Sequence, residues 1–221
     1  MSAETVVRQV ASLCLAYPDD EVLALVPAMR GAVAEHDRSA AAQPLAGFLD
    51  HLAAGAPHDL RQAYVETFDL SRKHALYLSY WTDGDTRRRG EVLGRFKQRY
   101  RDAGWVVDTR GELPDYLPLV LEFAARVDPD GGRDLMQEYR AGIELLRLAL
   151  RDAGSPYAGV LEAVCATLPG ESPADRAAAM RIASQGPPTE TVGLDPYDPR
   201  LLPVSEAGPT RTADVPAGGG R

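Results

Sequence analysis

Apolar residues recur along most of this chain at intervals of three and four rather than two, and prolines fall at the edges of the repeats. That period is the helical one. Val6, Val10, Leu13, Cys14 and Tyr17 make a first stripe closed by Pro18, and Val22, Leu25, Val26 and Met29 make a second. Pro27 predicts a kink or a late first turn within the second. Leu45, Phe48, Leu49 and Leu52 follow, opened by Pro44 at a first-turn position. Leu60, Tyr64 and Phe68 stack at i, i+4 and i+8, and the run "ALYLSYW" reads as a buried helix stopping before "TDGD".

Past that turn, Val92, Leu93, Phe96 and Tyr100 share one face of a helix ending at Gly104. Leu113, Leu117, Val120, Leu121 and Ala124 continue the pattern after Pro114. Leu135, Tyr139, Ile143, Leu146 and Leu150 define one long helix ending at Gly154. Ser155 with Pro156, and Ser172 with Pro173, each read as an N-cap followed by a first-turn proline. Only "WVVD" at 105–108 has strand-like residues, and a lone four-residue strand has nothing to pair with, so an extended connection is expected. The expected fold is all-α: a single-domain bundle of about nine or ten helices over residues 4–185. Residues 186–221 hold seven prolines and six glycines with no periodic apolar face, which predicts a disordered C-terminal tail.

The net charge of −8 argues against a protein whose main task is to coat phosphate backbones, because that affinity comes from accumulated Lys and Arg. It suits a basic partner. Cys14 and Cys165 each sit in an apolar helical pattern and read as buried thiols in a reducing compartment. The N-terminus lacks a secretion signal and no window is long and apolar enough to span a bilayer, so cytoplasmic residence without membrane insertion is expected.

Motifs for catalysis are missing. His36, His51, His58 and His74 do not form a zinc-protease pattern, no cysteine pair has zinc spacing, and "GDTRRRG" lacks the ending of a P-loop. No enzyme activity, catalytic residue or metal site is expected. Within "YLSYWTDGDTRRRGEVLGRF" (77–96), Asp85 stands where an N-cap belongs, Gly84 supplies a positive φ for the turn, and Asp83 favours the positive end of the helix dipole. Arg87, Arg88 and Arg89 point about 100° apart on a helix, so at most two share a target. A helical nucleic-acid binder using Arg87–Arg89 is the alternative reading; it asks for more clustered Lys and Arg than Arg95, Lys97, Arg99 and Arg101 provide. "GELPDYLPLVLEF" (111–123) reads either as a capped core helix or as the acidic lip of an apolar groove, with Glu112, Asp115 and Tyr116 reachable from outside. Period and composition do not separate the two.

Taken in order, "YVETFDLSRKHALYLSYWTDGDTRRRGEVLGRFKQRYRDAG" followed by "ELPDYLPLVLEF" resembles the NarJ family of nitrate reductase molybdenum cofactor assembly chaperones, also called the nitrate reductase delta subunit, within the TorD-like redox-enzyme maturation proteins. The family pattern is matched by Tyr80, Trp81, Gly84, Asp85, Arg87, Arg89 and Gly90, then by Glu112, Leu113, Pro114, Asp115, Tyr116 and Pro118. Arg72, Lys73 and His74 depart from it by making the lead-in unusually basic.

The resemblance implies a TorD/NarJ-like helical bundle that acts as a dedicated cytoplasmic chaperone with no permanently bound cofactor. Such a protein binds the N-terminal segment of the nitrate reductase alpha subunit and assists insertion of the molybdenum bis-guanine-dinucleotide cofactor. It engages the alpha–beta complex before membrane attachment and delays docking until assembly is complete. Nucleic acid is not among the expected partners. On this reading Tyr77, Tyr80 and Trp81 supply an apolar wall and Asp85 fixes the turn. Arg87 or Arg89 ties that turn to the "ELPDY" loop, and Asp83, Glu112 and Asp115, beside Tyr116, face the basic end of the client peptide. Gly84, Gly90 and Pro114 shape the turns.

Overall fold

The structure, a computed structural model, describes residues 1–83, 87–106, 109 and 111–185. The chain divides after Pro188 into two units, and the second, Thr189–Arg221, lies outside the described residues. The tail expected over 186–221 therefore falls outside them as well.

Every element of length among the described residues is helical. In order these are α1 (Ala3–Cys14), α2 (Asp20–Ala24), α3 (Val26–Ala34), α4 (Ala42–Ala54), α5 (Pro57–Tyr64), α6 (Leu78–Asp83), α7 (Arg87–Asp102), α8 (Leu117–Arg126), α9 (Pro129–Glu138), α10 (Arg140–Asp152), α11 (Tyr157–Ala166) and α12 (Arg176–Gln185). A π-helical turn, Val65–Asp69, extends α5, and a 3-10 turn spans Arg72–His74. None of these helices is long and apolar enough to cross a membrane.

α8 is the hub because its sequence, "LPLVLEFAAR", is apolar nearly all round, the pattern of a helix covered on every side. Leu117 to Leu121 and Phe123 to Ala125 are all buried. α1 packs along it with Val7, Val10, Ala11 and Cys14, started by the Ser2 hydroxyl, which accepts from the Thr5 N–H at 3.2 Å. α9 approaches from another side at Gly132, where a Cβ would lie 2.4 Å from the Ala124 Cα; only glycine allows that contact. α3, α4 and α11 complete this layer, while α10 carries α6 and α12.

Several details differ from the sequence reading. The single helix expected over 133–153 is two, broken at Tyr139 (φ −101°, ψ 18°). The break lets α9 face α8 while α10 faces α6, α11 and α12, and Leu135, Tyr139, Ile143, Leu146 and Leu150 all stay buried. The second stripe likewise splits into α2 and α3 at Leu25, with Pro27 in the first turn of α3. These divisions, with the short α2, exceed the nine or ten helices expected. α12 is capped by Asp175, whose Oδ1 accepts from the Ala178 N–H at 2.8 Å, rather than by Ser172. "ALYLSYW" becomes helical only from Leu78 and runs to Asp83. Trp105 and Val106 form no strand, and the remainder of "WVVD" lies outside the described residues. Cys14 and Cys165 are buried and free, and burial pushes both thiols up from their ordinary range.

Polar groups inside the bundle act as rivets. Arg8, buried in α1, donates to the Thr167 carbonyl at 3.1 Å, to the Thr167 hydroxyl at 3.3 Å and to the Pro129 carbonyl at 3.4 Å. Desolvation lowers its pKa, and the Glu4 carboxylate opposes that shift. Glu144, fully buried in α10, takes Arg147 at 2.7 Å and Arg140 at 3.4 Å. Those arginines also donate to the carbonyls of Pro169, Gly170 and Pro173, fastening the loop before α12.

Candidate partner-binding site

The segment before α6 and the segment before α8 run side by side. Tyr77 and Tyr116 form an antiparallel bridge, with Leu78 N–H donating to the Asp115 carbonyl at 3.0 Å and Leu117 N–H to the Leu76 carbonyl at 2.8 Å. Strand-like pairing here satisfies backbone groups that the delayed start of α6 leaves outside a helix. It also sets the two tyrosine rings 5.6 Å apart and lets the Tyr77 hydroxyl donate to Glu112 Oε2 at 2.5 Å. The Tyr64 and Tyr116 hydroxyls lie 3.4 Å apart, and Tyr64 also donates to the Leu15 carbonyl at 3.1 Å.

Two clefts meet at this junction and share Glu112 and Tyr116. The first, of about 730 Å³, is bounded by Tyr64, Phe68 and Asp69 of α5 and its π turn, by Ser71 and Arg72, by Ala75 to Tyr77 and Tyr80, and by Arg89 and Leu113. π-helical turns are frequent at functional sites, and this one lines the cleft. Arg89 lies with its guanidinium carbon 5.9 Å from the Tyr77 ring centroid, and its buried Nε has no hydrogen-bond partner. The second cleft, of about 690 Å³, runs between the end of α1, α2, α8 and the residues Trp105, Val106 and Thr109. Its floor is Leu13, Leu119 and Tyr116, and its rim carries Asp19, Glu21, Glu112 and Glu122; no Lys or Arg appears among its described lining residues.

Exposed apolar side chains gather here. Tyr17 and Leu25 are each 44% exposed and Val106 97%, all on the second cleft, and Leu113 on the first is 37% exposed. Tyr17, Leu25 and Leu113 were expected on buried stripes; instead they face the clefts. Trp105 is anchored by packing on Tyr100 and Phe123 at 5.2 and 5.6 Å between ring centroids. Burial pushes the Tyr77 and Tyr116 phenols well above their ordinary range, with the Glu112 carboxylate adding to the effect. Tyr64 is pushed up to about 12 by burial, and the Asp69 carboxylate acts in the same sense.

The sequence-derived site residues divide. Tyr77, Tyr80, Arg89, Glu112 and Tyr116 line the first cleft together. Trp81 does not: it turns toward α10, with its Cβ 3.2 Å from the position a Gly142 Cβ would take, and packs on Leu145 and Leu148. Its Nε1–H donates to the Ala75 carbonyl at 2.9 Å. Asp115 is 0% exposed, and its Oδ2 accepts from the Ser79 N–H at 3.0 Å and the Ser79 hydroxyl at 2.6 Å. It serves the first turn of α6 and does not face solvent, which corrects the expectation that it meets a peptide. Pro114 is buried in the turn and its carbonyl accepts from the Tyr100 hydroxyl at 2.7 Å. Gly90 is within α7, exposed and with open space around its Cβ position, so it shapes no turn. Gly84, Asp85 and the side chains of Asp83 and Arg87 lie outside the described residues.

Sequence reasoning missed the second cleft. Its acids, Asp19 and Glu21, look like ordinary first-turn helix residues, and nothing in the spacing links them to Glu112 and Glu122. Among the described residues, no group of three or more His, Cys, Asp or Glu side chains is arranged to hold a metal ion.

Fold and surface together define an all-helical bundle whose described surface carries an aromatic junction between two clefts. The chain belongs to the nitrate reductase delta subunit family, whose model matches residues 34–163. It is 44% identical over 162 residues to the nitrate reductase-like protein NarX of Mycobacterium tuberculosis, covering 73% of this chain but only 24% of that one. It is 34% identical over 157 residues to the probable nitrate reductase molybdenum cofactor assembly chaperone NarJ of Bacillus subtilis, covering 71% of this chain and 85% of the relative. With the NarJ chaperone of Escherichia coli K12 it shares 32% over 117 residues, 53% of this chain and 49% of the other. A crystal structure of a putative redox enzyme maturation protein from Archaeoglobus fulgidus shares the fold, with a TM-score of 0.55 at 20% identity over 75% of this chain and 92% of that one.

Proposed function

We propose that this protein is a cytoplasmic assembly chaperone, a binding protein and not an enzyme, dedicated to a nitrate reductase. It binds the N-terminal segment of the catalytic alpha subunit, keeps the alpha–beta complex from the membrane and assists insertion of the molybdenum bis-guanine-dinucleotide cofactor, which is cargo for the client. The observation that carries this reading is the pair of clefts meeting at Tyr116, with exposed apolar side chains inside and carboxylates on the rim. Membership of the family and the names of the NarJ relatives support it.

The physics matches a peptide ligand. An amphipathic helix lays its apolar face into a groove with anchors at i, i+3, i+4 and i+7. A dissociation constant of about 1 μM requires about −8 kcal/mol. Exposed ion pairs contribute about 0–1 kcal/mol each, so the apolar surface supplies most of the affinity and the rim selects a basic segment. Tyr77, Tyr80, Glu112 and Tyr116 are the contact residues of this proposal, with Asp83 and Arg87 kept as candidates from the sequence.

The test is a pull-down with the tagged full chain from cells grown without oxygen and with nitrate. Capture of the nitrate reductase alpha subunit, lost when its first helix-forming segment is deleted, is the expected result. Capture of nucleic-acid components alone would contradict it.

A further inference from the structure

The two clefts share a junction but differ in charge. The cleft beside α2 carries Asp19, Glu21 and Glu122 on its rim with no described Lys or Arg lining it. Two of these acids have local partners: Asp19 accepts from the Val22 N–H at 2.8 Å, and Glu122 meets Arg126 at 2.8 Å. The Arg126 pair is exposed and therefore exchangeable, and neither contact cancels the negative sign of the rim. The cleft beside α7 instead receives Arg72 and Arg89, and the buried Nε of Arg89 is a donor with nothing to donate to. Its acids are Asp69 and Glu112, of which Glu112 already accepts from Tyr77, so two arginines balance two carboxylates here while the described lining of the other cleft carries carboxylates alone.

A bound helix is itself polar. Its first turn leaves N–H groups unsatisfied and carries a partial positive charge; its last turn leaves carbonyls unsatisfied and carries a partial negative one. We infer that this surface fixes the direction of the client segment: its basic amino end lies in the acidic cleft beside α2, its chain crosses Tyr116, and its last-turn carbonyls meet Arg72 and Arg89. The inference rests on the proposed peptide-binding function and adds to it a polarity. Both ends of the segment then meet groups of opposite sign, and the orphan Arg89 donor gains the kind of acceptor that a helix C-terminus offers. The reversed segment would set carbonyls against carboxylates and basic residues against arginines, a mismatch that rejects it without any change in apolar contact.

The two tryptophans of the chain give one reporter per cleft. Trp105 lines the acidic cleft, and the indole of Trp81 donates to Ala75, which lines the other. The experiment uses the full chain with 15N-labelled tryptophan and a synthetic peptide of the alpha-subunit amino-terminal segment, carrying a nitroxide at its amino end or at its carboxyl end. Affinity is measured alongside by calorimetry. The amino-end label is expected to broaden the Trp105 indole signal selectively, and the carboxyl-end label that of Trp81. Binding with the pattern reversed, or with both signals equally affected by each label, overturns the direction and leaves the peptide-binding function standing. Absence of binding heat and of any broadening overturns both.

Discussion

Asp115 shows how much one buried carboxylate decides. It receives both hydrogen bonds of Ser79 from a position 36 residues further along the chain, so that the first turn of α6 is held by the loop that precedes α8. Removing it leaves those donors buried without an acceptor, a loss of about 1–3 kcal/mol. Asp115→Ala is therefore expected to lower the unfolding free energy by that amount, read as a lower urea midpoint at unchanged slope, and Asp115→Asn to recover part of it. An unchanged midpoint would contradict the assignment. The tyrosines give a second expectation at this scale. Burial raises the phenols of Tyr64, Tyr77, Tyr100, Tyr116 and Tyr157 above the ordinary value of 10.0. Because the unfolded chain ionises first, the stability these neutral phenols contribute is complete below pH ~10 and is lost as pH rises through the folded values. Tyrosinate absorbance from these residues should thus grow together with the loss of helical circular dichroism. The raised Cys14 and Cys165 thiols should likewise react with iodoacetamide only after unfolding.

At the scale of elements, the close approaches are as decisive as the apolar stripes. Gly132→Ala puts a methyl group 2.4 Å from the Ala124 Cα, and overpacking of this kind costs about 1–3 kcal/mol. Glu144→Ala strips the carboxylate shared by Arg140 and Arg147, for which about 3 kcal/mol is expected because an uncompensated charge stays buried. Chemical denaturation checks both. The helices themselves were legible from period and proline placement: α1, α4, α5 and α7 fall on the stripes that announce them, and α11 follows the Ser155–Pro156 pair. Periodicity could not announce the break at Tyr139, since the stripe from Leu135 to Leu150 runs through it without interruption and only the competing surfaces of α8 and α6 require a turn there. Nor could it find Arg8 or Glu144, because a period marks charged residues as outward-facing and a buried charge is visible only once its partners are in place. The site was half legible for the same reason. Tyr77, Tyr80, Glu112 and Tyr116 announced a surface through their residue types, whereas Trp81 has an identical aromatic signature and is spent on the contact with α10.

On the scale of the whole molecule, an acidic bundle keeps Tyr17, Leu25, Val106 and Leu113 in solvent where two clefts join, and the account stands on that surface being a binding site. Tyr17, Leu25 and Val106 are exposed there and contribute little to the core, so substitution should separate binding from folding. The direct measurement is calorimetric titration of the alpha-subunit amino-terminal peptide into the full chain and into the Leu25→Glu, Val106→Glu double variant, with circular dichroism melts of both proteins. The account predicts micromolar or tighter binding that weakens with added salt, at least a tenfold loss in the variant, and unchanged melts. Equal affinity for both proteins, or no binding to either, would contradict it.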